Sequence, residues 1–228
     1  MDRAGHPSTP ASRLREVTIE GPAGRLEGLL QERDAHDHAW NAVVCHPHPQ
    51  KGGTLHNKVA HRVAAVLHEL GATVLRFNFR GVGKSAGVYD QGVGELEDAR
   101  AALAWLRARH PGARVTLAGF SFGAWVAARL AASEAGIEQV ILVAPPVSTA
   151  DFSVLATAPV PKLVIQGTRD DLAPAAALDA AFPGWAEPKA LFRVEGASHF
   201  FDRQLAALGE ALRAGLRPPG DRAVSPRP

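Results

Sequence analysis

One serine in this chain stands in a setting that could make it a nucleophile. It lies in Gly119-Phe120-Ser121-Phe122-Gly123, between the apolar run Arg114–Ala118 and an alanine-rich segment of helical period. In a sharp turn from strand to helix, the positions two residues before and after the serine come so close that only glycine fits. Such a turn strains the serine backbone and leaves its hydroxyl exposed above the sheet. The pattern therefore predicts that Ser121 is a nucleophile.

A serine hydroxyl also needs a base to take its proton and a third group to orient that base. An imidazole, His199, follows the apolar run Leu191–Val194, and a carboxylate, Asp170, follows the run Leu163–Gln166. Both side chains are predicted just beyond the carboxyl end of a buried strand, as is Ser121. We therefore predict that His199 is the base and that Asp170 orients it.

Two other carboxylates compete with Asp170 for the orienting role. Asp171 is its direct neighbour, but a carboxylate in such a turn often caps the next helix, and a helical segment begins near Pro174. Asp151 lies on the loop after Val143, one predicted strand earlier, and is the weaker alternative. We assign the orienting role to Asp170 and helix capping to Asp171.

Attack on a carbonyl also requires hydrogen-bond donors for the oxyanion that forms. The backbone N–H after the nucleophile, that of Phe122, is the first predicted donor. The second is expected in His46-Pro47-His48-Pro49, where neither proline has an N–H, so the amide of His48 is the best placed donor. Metal binding by the two imidazoles is disfavoured because no third ligand stands near them. The sequence thus calls for no metal and no other cofactor.

Aromatic and imidazole side chains near these residues are predicted to line the substrate pocket. We assign His46, Phe120 and Phe200 to this lining. We further expect the rings of Phe122 and Phe200 to face the bound substrate.

Strand-like and helix-like segments alternate along most of the chain, which predicts an α/β fold: a mostly parallel sheet with helices on both faces and ligands at the carboxyl ends of its strands. Before this series, Leu14–Ile19 and Arg25–Leu30 predict an antiparallel pair at the N-terminal edge, joined by a turn at Gly21–Gly24. The predicted strands of the series are Asn41–Cys45, Thr73–Phe77, Val115–Gly119, Gln139–Val143, Lys162–Ile165 and Ala190–Val194. The predicted helices are Asn57–Leu70, Gly94–Arg109, Phe122–Ala135, Pro174–Phe182 and Phe200–Leu216.

Composition bounds the remaining possibilities. The 228 residues, 46% apolar and 21% charged, suit one globular domain over residues 13–216, with loose tails at 1–12 and 217–228. The 25 basic and 23 acidic residues nearly balance, and no dense basic block favours nucleic acid or a membrane surface. The sequence has no signal-peptide pattern, no apolar run of spanning length and one cysteine, Cys45, so we expect a cytoplasmic protein.

Four motifs together make the chain resemble the α/β-hydrolase superfamily over roughly Val43–Phe201, and within it a small bacterial branch related to the dienelactone hydrolases. The resemblance implies compact serine hydrolases with Ser121 as nucleophile, Asp170 as acid and His199 as base. Dienelactone hydrolases proper have cysteine at the nucleophile position, so their substrate is not carried over. The motifs are Cys45–Pro49 with Gly52-Gly53-Thr54, Asn78–Ser85, Gly119–Gly123 and Ser198–Phe201.

Many relatives insert a helical lid between the strands that here end at Val143 and begin at Lys162, and this segment is too short for one. We therefore expect a shallow, open pocket and a lidless serine hydrolase that cleaves a small or extended acyl ester or thioester through an acyl-enzyme. A peptidase or acyltransferase with the same three residues is one alternative, and a non-catalytic ligand-binding protein is another. The expected partner is a small acyl substrate, and a homodimer through the first strand pair is compatible with each alternative.

Overall fold

The computed structural model describes residues 13–32 and 39–216, and the predicted tails at 1–12 and 217–228 lie outside the described residues. One eight-stranded sheet runs through the described part in the order β1-β2-β4-β3-β5-β6-β7-β8. Its strands are β1 (Arg13–Gly21), β2 (Gly24–Glu32), β3 (Trp40–Cys45), β4 (Thr73–Phe77), β5 (Arg114–Phe120), β6 (Ile137–Val143), β7 (Lys162–Gly167) and β8 (Lys189–Val194). The α-helices are α1 (Lys58–Glu69), α2 (Val93–Arg109), α3 (Phe122–Ser133), α4 (Ala175–Ala181) and α5 (Leu205–Gly215).

The sheet has the predicted mixed character. Strands β4, β3, β5, β6, β7 and β8 are parallel to one another, whereas β1 and β2 form a hairpin that joins β4 in antiparallel fashion. The hairpin closes through Pro22 and Ala23, and the flanking Gly21 and Gly24 pair across the turn. The predicted α/β fold with an antiparallel N-terminal pair is confirmed.

Helices cover both faces of the sheet because the buried strands are apolar on both sides. Helices α1 and α5 contact each other on one face, and α2 and α3 contact each other on the other. Within β4, Val74 points into the apolar layer under α1 and α5, whereas Leu75 and Phe77 point into the layer under α2 and α3. In the described part of the chain, no helix is long and apolar enough to cross a membrane.

Helix α5 begins five residues later than the predicted helix that starts at Phe200. Phe201 and Arg203 have positive φ values of 50° and 60°, which no α-helix accommodates. The side chain of Phe201 is fully buried in the layer beneath α1 and α5. Burial of this ring therefore overrides the helical pattern and leaves residues 195–204 as a loop that carries His199.

The loop after β4 is anchored by a buried carboxylate on α2. The Asp98 side chain has no exposed surface and accepts hydrogen bonds from the N–H of Arg80 at 2.9 Å and from its guanidinium at 2.8–3.1 Å. A Cβ at Gly94 would lie 2.0 Å from a guanidinium nitrogen, so the glycine in α2 leaves room for the Arg80 side chain in this position. These contacts fix the beginning of a loop that borders the site described below.

Replacement of Asp98 tests this anchor. The change Asp98→Asn removes the charge and one of the acceptors, so we expect the free energy of unfolding to fall by about 2–4 kcal/mol. Urea denaturation measures it. The matched control, Glu97→Gln, removes only a largely exposed ion pair with Arg100. The expected change in the free energy of unfolding is below about 1 kcal/mol. Equal effects of the two changes would contradict the role given to Asp98.

Candidate active site

The turn from β5 into α3 has the strained geometry that the two glycines predict. Ser121 has φ 55° and ψ −120°, and its N–H donates to the carbonyl of Val143 at 2.9 Å. A Cβ at Gly119 would lie 2.0 Å from the carbonyl oxygen of Gly123. A Cβ at Gly123 would lie 2.3 Å from the carbonyl oxygen of Cys45. Any side chain at either position would therefore collide with backbone, which glycine alone avoids.

Ser121, His199 and Asp170 lie in one hydrogen-bonded chain. The Nε2 atom of His199 is 2.9 Å from Ser121 Oγ, and its Nδ1 atom is 2.8 Å from Asp170 Oδ2. An ionised carboxylate only accepts, so the contact with Asp170 holds a proton on Nδ1 and leaves the Nε2 lone pair facing the serine hydroxyl. This arrangement can deprotonate the serine as it attacks a carbonyl carbon.

Asp170 is held by more donors than sequence reasoning foresaw. Its side chain is fully buried, and Oδ1 accepts the backbone N–H groups of Leu172 at 3.0 Å and Ala173 at 2.7 Å. The buried amide of Gln166, at the end of β7, donates to Oδ2 at 3.0 Å and to the carbonyl of Ala173 at 2.9 Å. The one sequence signal for Gln166 is a polar residue directly after the apolar run Leu163–Ile165 of β7.

The two alternative carboxylates lie elsewhere. Asp171 is exposed, and α4 has Pro174 as its N-cap residue with no side-chain cap, so the predicted capping role of Asp171 is wrong. The reason is that the chain turns directly after Asp170, which takes the free amides of that turn itself. Asp151 is exposed and accepts the N–H of Ser153 at 2.7 Å and its hydroxyl at 3.0 Å, which starts a 3₁₀ turn.

The two predicted oxyanion donors lie on segments in direct contact. Phe122 is the first residue of α3, and its ring centroid is 5.1 Å from that of His48. The carbonyl of His48 accepts the N–H groups of Lys51 at 3.0 Å and Gly53 at 3.1 Å, which fixes the peptide planes around it. Among the residues that the structure describes, no protein atom accepts a hydrogen bond from the N–H of His48 or of Phe122. Both amides are thus free to bind a ligand oxygen.

His46 lies beneath the site rather than on its surface. It has no exposed surface, its Nδ1 donates to the carbonyl of Pro47 at 2.7 Å, and its Nε2 accepts the N–H of Phe79 at 3.1 Å. Burial lowers the pKa of this imidazole to about 4. The neutral ring supports the loop of His48 and leaves no surface for substrate in this conformation.

Of the aromatic rings predicted to line the pocket, two are buried and one is exposed. Phe120 is fully buried, with its ring 5.0 Å from that of His199, and Phe122 keeps 7% of its surface exposed. Phe200 is 41% exposed and packs edge-on against His199 at 5.2 Å. Of these three rings, Phe200 offers the most surface to a ligand.

Within the residues that the structure describes, no lid covers this edge of the sheet. The segment between β6 and β7 contains only the four-residue 3₁₀ turn Ser153–Ala156. An open depression of about 630 Å³ lies between this segment and the end of α4, lined among others by Val147, Thr149, Asp151, Phe152, Ala156 and Trp185.

Comparison with known proteins agrees with this architecture. A family model described as serine aminopeptidase, S33 matches residues 41–160, more than half of the 228 residues. The chain belongs to this family of α/β hydrolases. The part of the resemblance that concerns dienelactone hydrolases stays a prediction.

Similar proteins of this superfamily span nearly the whole chain. A solved α/β serine hydrolase homologue from Coxiella burnetii is 40% identical with a TM-score of 0.85, covering 89% of this chain and 97% of that one. A lidless α/β serine hydrolase from Xanthomonas campestris is 40% identical with a TM-score of 0.81, covering 93% and 96%. An uncharacterized protein of Rickettsia prowazekii is 37% identical over 208 residues, 87% of each chain. Family and fold together support hydrolase activity.

The buried imidazole of His46 predicts a pH dependence of stability. The unfolded chain protonates this residue below about pH 6.5, whereas the folded protein does so only below about pH 4. The unfolded state therefore binds more protons between these values, and this residue lowers the free energy of unfolding by about 3 kcal/mol as pH falls from 6.5 to 4.

An NMR titration of the imidazole protons tests the shift, with His46→Gln to assign the signal and free histidine as reference. The expected midpoint for His46 lies more than one unit below that of free histidine. A midpoint equal to that of the free amino acid would contradict the burial of a neutral ring.

Proposed function

We propose that this protein is a serine hydrolase that cleaves carboxylic esters or thioesters through an acyl-enzyme. The observation that carries the proposal is the hydrogen-bonded chain in which His199 lies 2.9 Å from Ser121 Oγ and 2.8 Å from Asp170 Oδ2. The strained backbone of Ser121 and the free amides of Phe122 and His48 support it, because they supply a presented hydroxyl and two oxyanion donors.

The residues divide the reaction between them. Ser121 Oγ attacks the carbonyl carbon while its proton passes to His199 Nε2, and the amides of Phe122 and His48 bind the oxyanion. The oxyanion collapses, the bond to the leaving group breaks, and His199 returns its proton to the departing alcohol or thiol. Water then attacks the acyl-enzyme, with the same imidazole as base, and the acid and Ser121 are released. Asp170 keeps the imidazole in one tautomer and stabilises its charged form.

The open edge of the sheet limits which acyl groups the site can favour. With no lid in the described part of the chain and with Phe200 exposed beside His199, the site favours small or extended acyl groups over a lipid chain enclosed on all sides.

A peptidase is the second candidate function, favoured by the family description of a serine aminopeptidase. The same nucleophile, base and donors cleave amides when the leaving amine is bound and protonated, so turnover of aminoacyl p-nitroanilides faster than of p-nitrophenyl esters would favour it. An acyltransferase would pass the acyl group to an acceptor other than water. A non-catalytic ligand-binding role has less support, because binding alone does not require an oriented imidazole on the serine.

Removal of the nucleophile is the first functional prediction. Ser121→Ala should lower kcat/KM for p-nitrophenyl butyrate and for an acyl thioester by at least about 10³-fold, since no acyl-enzyme can form. Ser198→Ala, next to the base, removes a hydroxyl whose contact is with Asp202 at 3.4 Å and should change kcat/KM less than about threefold. Steady-state kinetics on folded variants measure both. Comparable activity of Ser121→Ala and the wild type would refute the assignment.

The choice between the two adjacent carboxylates is tested in the same assay. Asp170→Asn should reduce kcat by about 10³–10⁴-fold, because an amide NH₂ can donate to His199 Nδ1 and favour the wrong tautomer. The matched control Asp171→Asn changes an exposed side chain and should stay within about twofold. A larger loss from Asp171→Asn than from Asp170→Asn would reverse the assignment.

A further inference from the structure

Tyr89 lies beside the site and has no part in the mechanism above. It is on the loop after β4, with its ring centroid 5.0 Å from that of His48 and 6.1 Å from that of Phe122. Its hydroxyl oxygen is 3.3 Å from His48 Nε2, and the residue is partly exposed. The phenol therefore lies against the side chains of the two residues whose backbone amides are the proposed oxyanion donors.

The hydrogen bonds around His48 decide which way the phenol proton points. The N–H of Gln50 donates to His48 Nδ1 at 3.2 Å, so Nδ1 carries no proton and the neutral ring is protonated on Nε2. Burial, followed by the charge of Lys51, lowers the pKa of His48, which agrees with a neutral ring. The Nε2–H of His48 then donates to the hydroxyl oxygen of Tyr89. The phenol proton takes no part in this hydrogen bond.

No protein acceptor takes that proton within the described residues. The pKa of Tyr89 is raised by burial and then by the charge of Glu95, so the phenol stays protonated over the neutral range. The Tyr89 hydroxyl is thus a hydrogen-bond donor without a protein acceptor among the described residues, on a partly exposed side chain beside His48.

The backbone around Tyr89 is held firmly enough to aim this donor. The fully buried carboxylate of Glu95 accepts the N–H groups of Asp90 at 2.9 Å and Gly92 at 2.7 Å, and Arg129 donates to the carbonyl of Gly92 at 3.1 Å. A Cβ at Gly92 would lie 2.1 Å from the ring of Trp125, so the turn is pressed onto α3. A donor fixed in this way binds with little loss of conformational freedom.

We propose that Tyr89 is a specificity-determining residue whose hydroxyl donates a hydrogen bond to an acceptor oxygen of the substrate other than the reacting carbonyl. The preferred substrates are then esters or thioesters that carry an ether, hydroxyl or carbonyl oxygen a few atoms from the cleaved bond. This inference rests on the proposed hydrolase function and narrows its substrate class.

Matched ester pairs test the proposal on both sides of the cleaved bond. p-Nitrophenyl methoxyacetate and p-nitrophenyl butyrate differ by one oxygen in the acyl group, and 2-methoxyethyl butyrate and butyl butyrate differ likewise in the alcohol. Each pair is assayed with the wild type and with Tyr89→Phe, which keeps the ring and removes only the hydroxyl. Dividing the two enzymes' ratios cancels the intrinsic reactivity of each ester.

In at least one pair, Tyr89→Phe should lower kcat/KM for the oxygen-bearing ester about three- to tenfold relative to its partner, mainly through KM. The all-carbon ester of that pair should be nearly unaffected. Equal losses in kcat for all four esters would overturn the proposal, because Tyr89 would then act by positioning His48. Unchanged ratios in both pairs would overturn it as well.

A wild type that hydrolyses none of the four esters would count against the proposed function, and Tyr89 is then judged by binding. Saturation-transfer NMR compares 2-methoxyethyl butyrate with butyl butyrate, and methoxyacetate with butyrate, on Ser121→Ala with and without Tyr89→Phe. Stronger transfer to the oxygen-bearing ligand that depends on Tyr89 supports the donor. Equal transfer to both members of each pair overturns it.

Discussion

The site depends on one close approach of backbone segments. Gly123, in the first turn of α3, lies so near the end of β3 that an added Cβ would meet the carbonyl oxygens of Cys45 at 2.3 Å and His46 at 2.5 Å. This contact brings the amide of Phe122 next to the loop that carries the amide of His48, and it holds the hydroxyl of Ser121 above the sheet. This packing of backbone against backbone places the two proposed oxyanion donors on adjacent segments.

Buried polar side chains hold the loops around the site in fixed positions relative to this contact between α3 and the end of β3. Asp170 is fixed by Gln166 and by two backbone amides, so the imidazole it orients has a defined direction. On the opposite side of the site, Glu95 and Asp98 of α2 bind the amides and guanidinium of the loop after β4. Each of these carboxylates accepts hydrogen bonds from several donors. These hydrogen bonds offset the free-energy cost of burying the charge, and they keep the loops rigid.

The sequence patterns predicted those features of the fold that depend on local backbone geometry. The alternation of strands and helices predicted the sheet, and the two glycines around Ser121 predicted the strained turn that the structure has; the role of Ser121 as nucleophile stays a prediction. Patterns failed where tertiary packing decides: burial of Phe201 delays α5, and the capping role of Asp171 is absent because Asp170 takes the amides of its own turn. Tyr89 was missed because its neighbours are remote in sequence and only the fold brings them together.

The central claim is that the fold activates one serine, and labelling with a fluorophosphonate probe tests it most directly. The reagent phosphonylates a serine hydroxyl only where a base and oxyanion donors assist the attack. The account predicts one adduct by intact mass, located on Ser121 by peptide mapping and formed much more slowly in Asp170→Asn. Folded wild-type protein that gains no adduct, or one on another serine, would contradict the account.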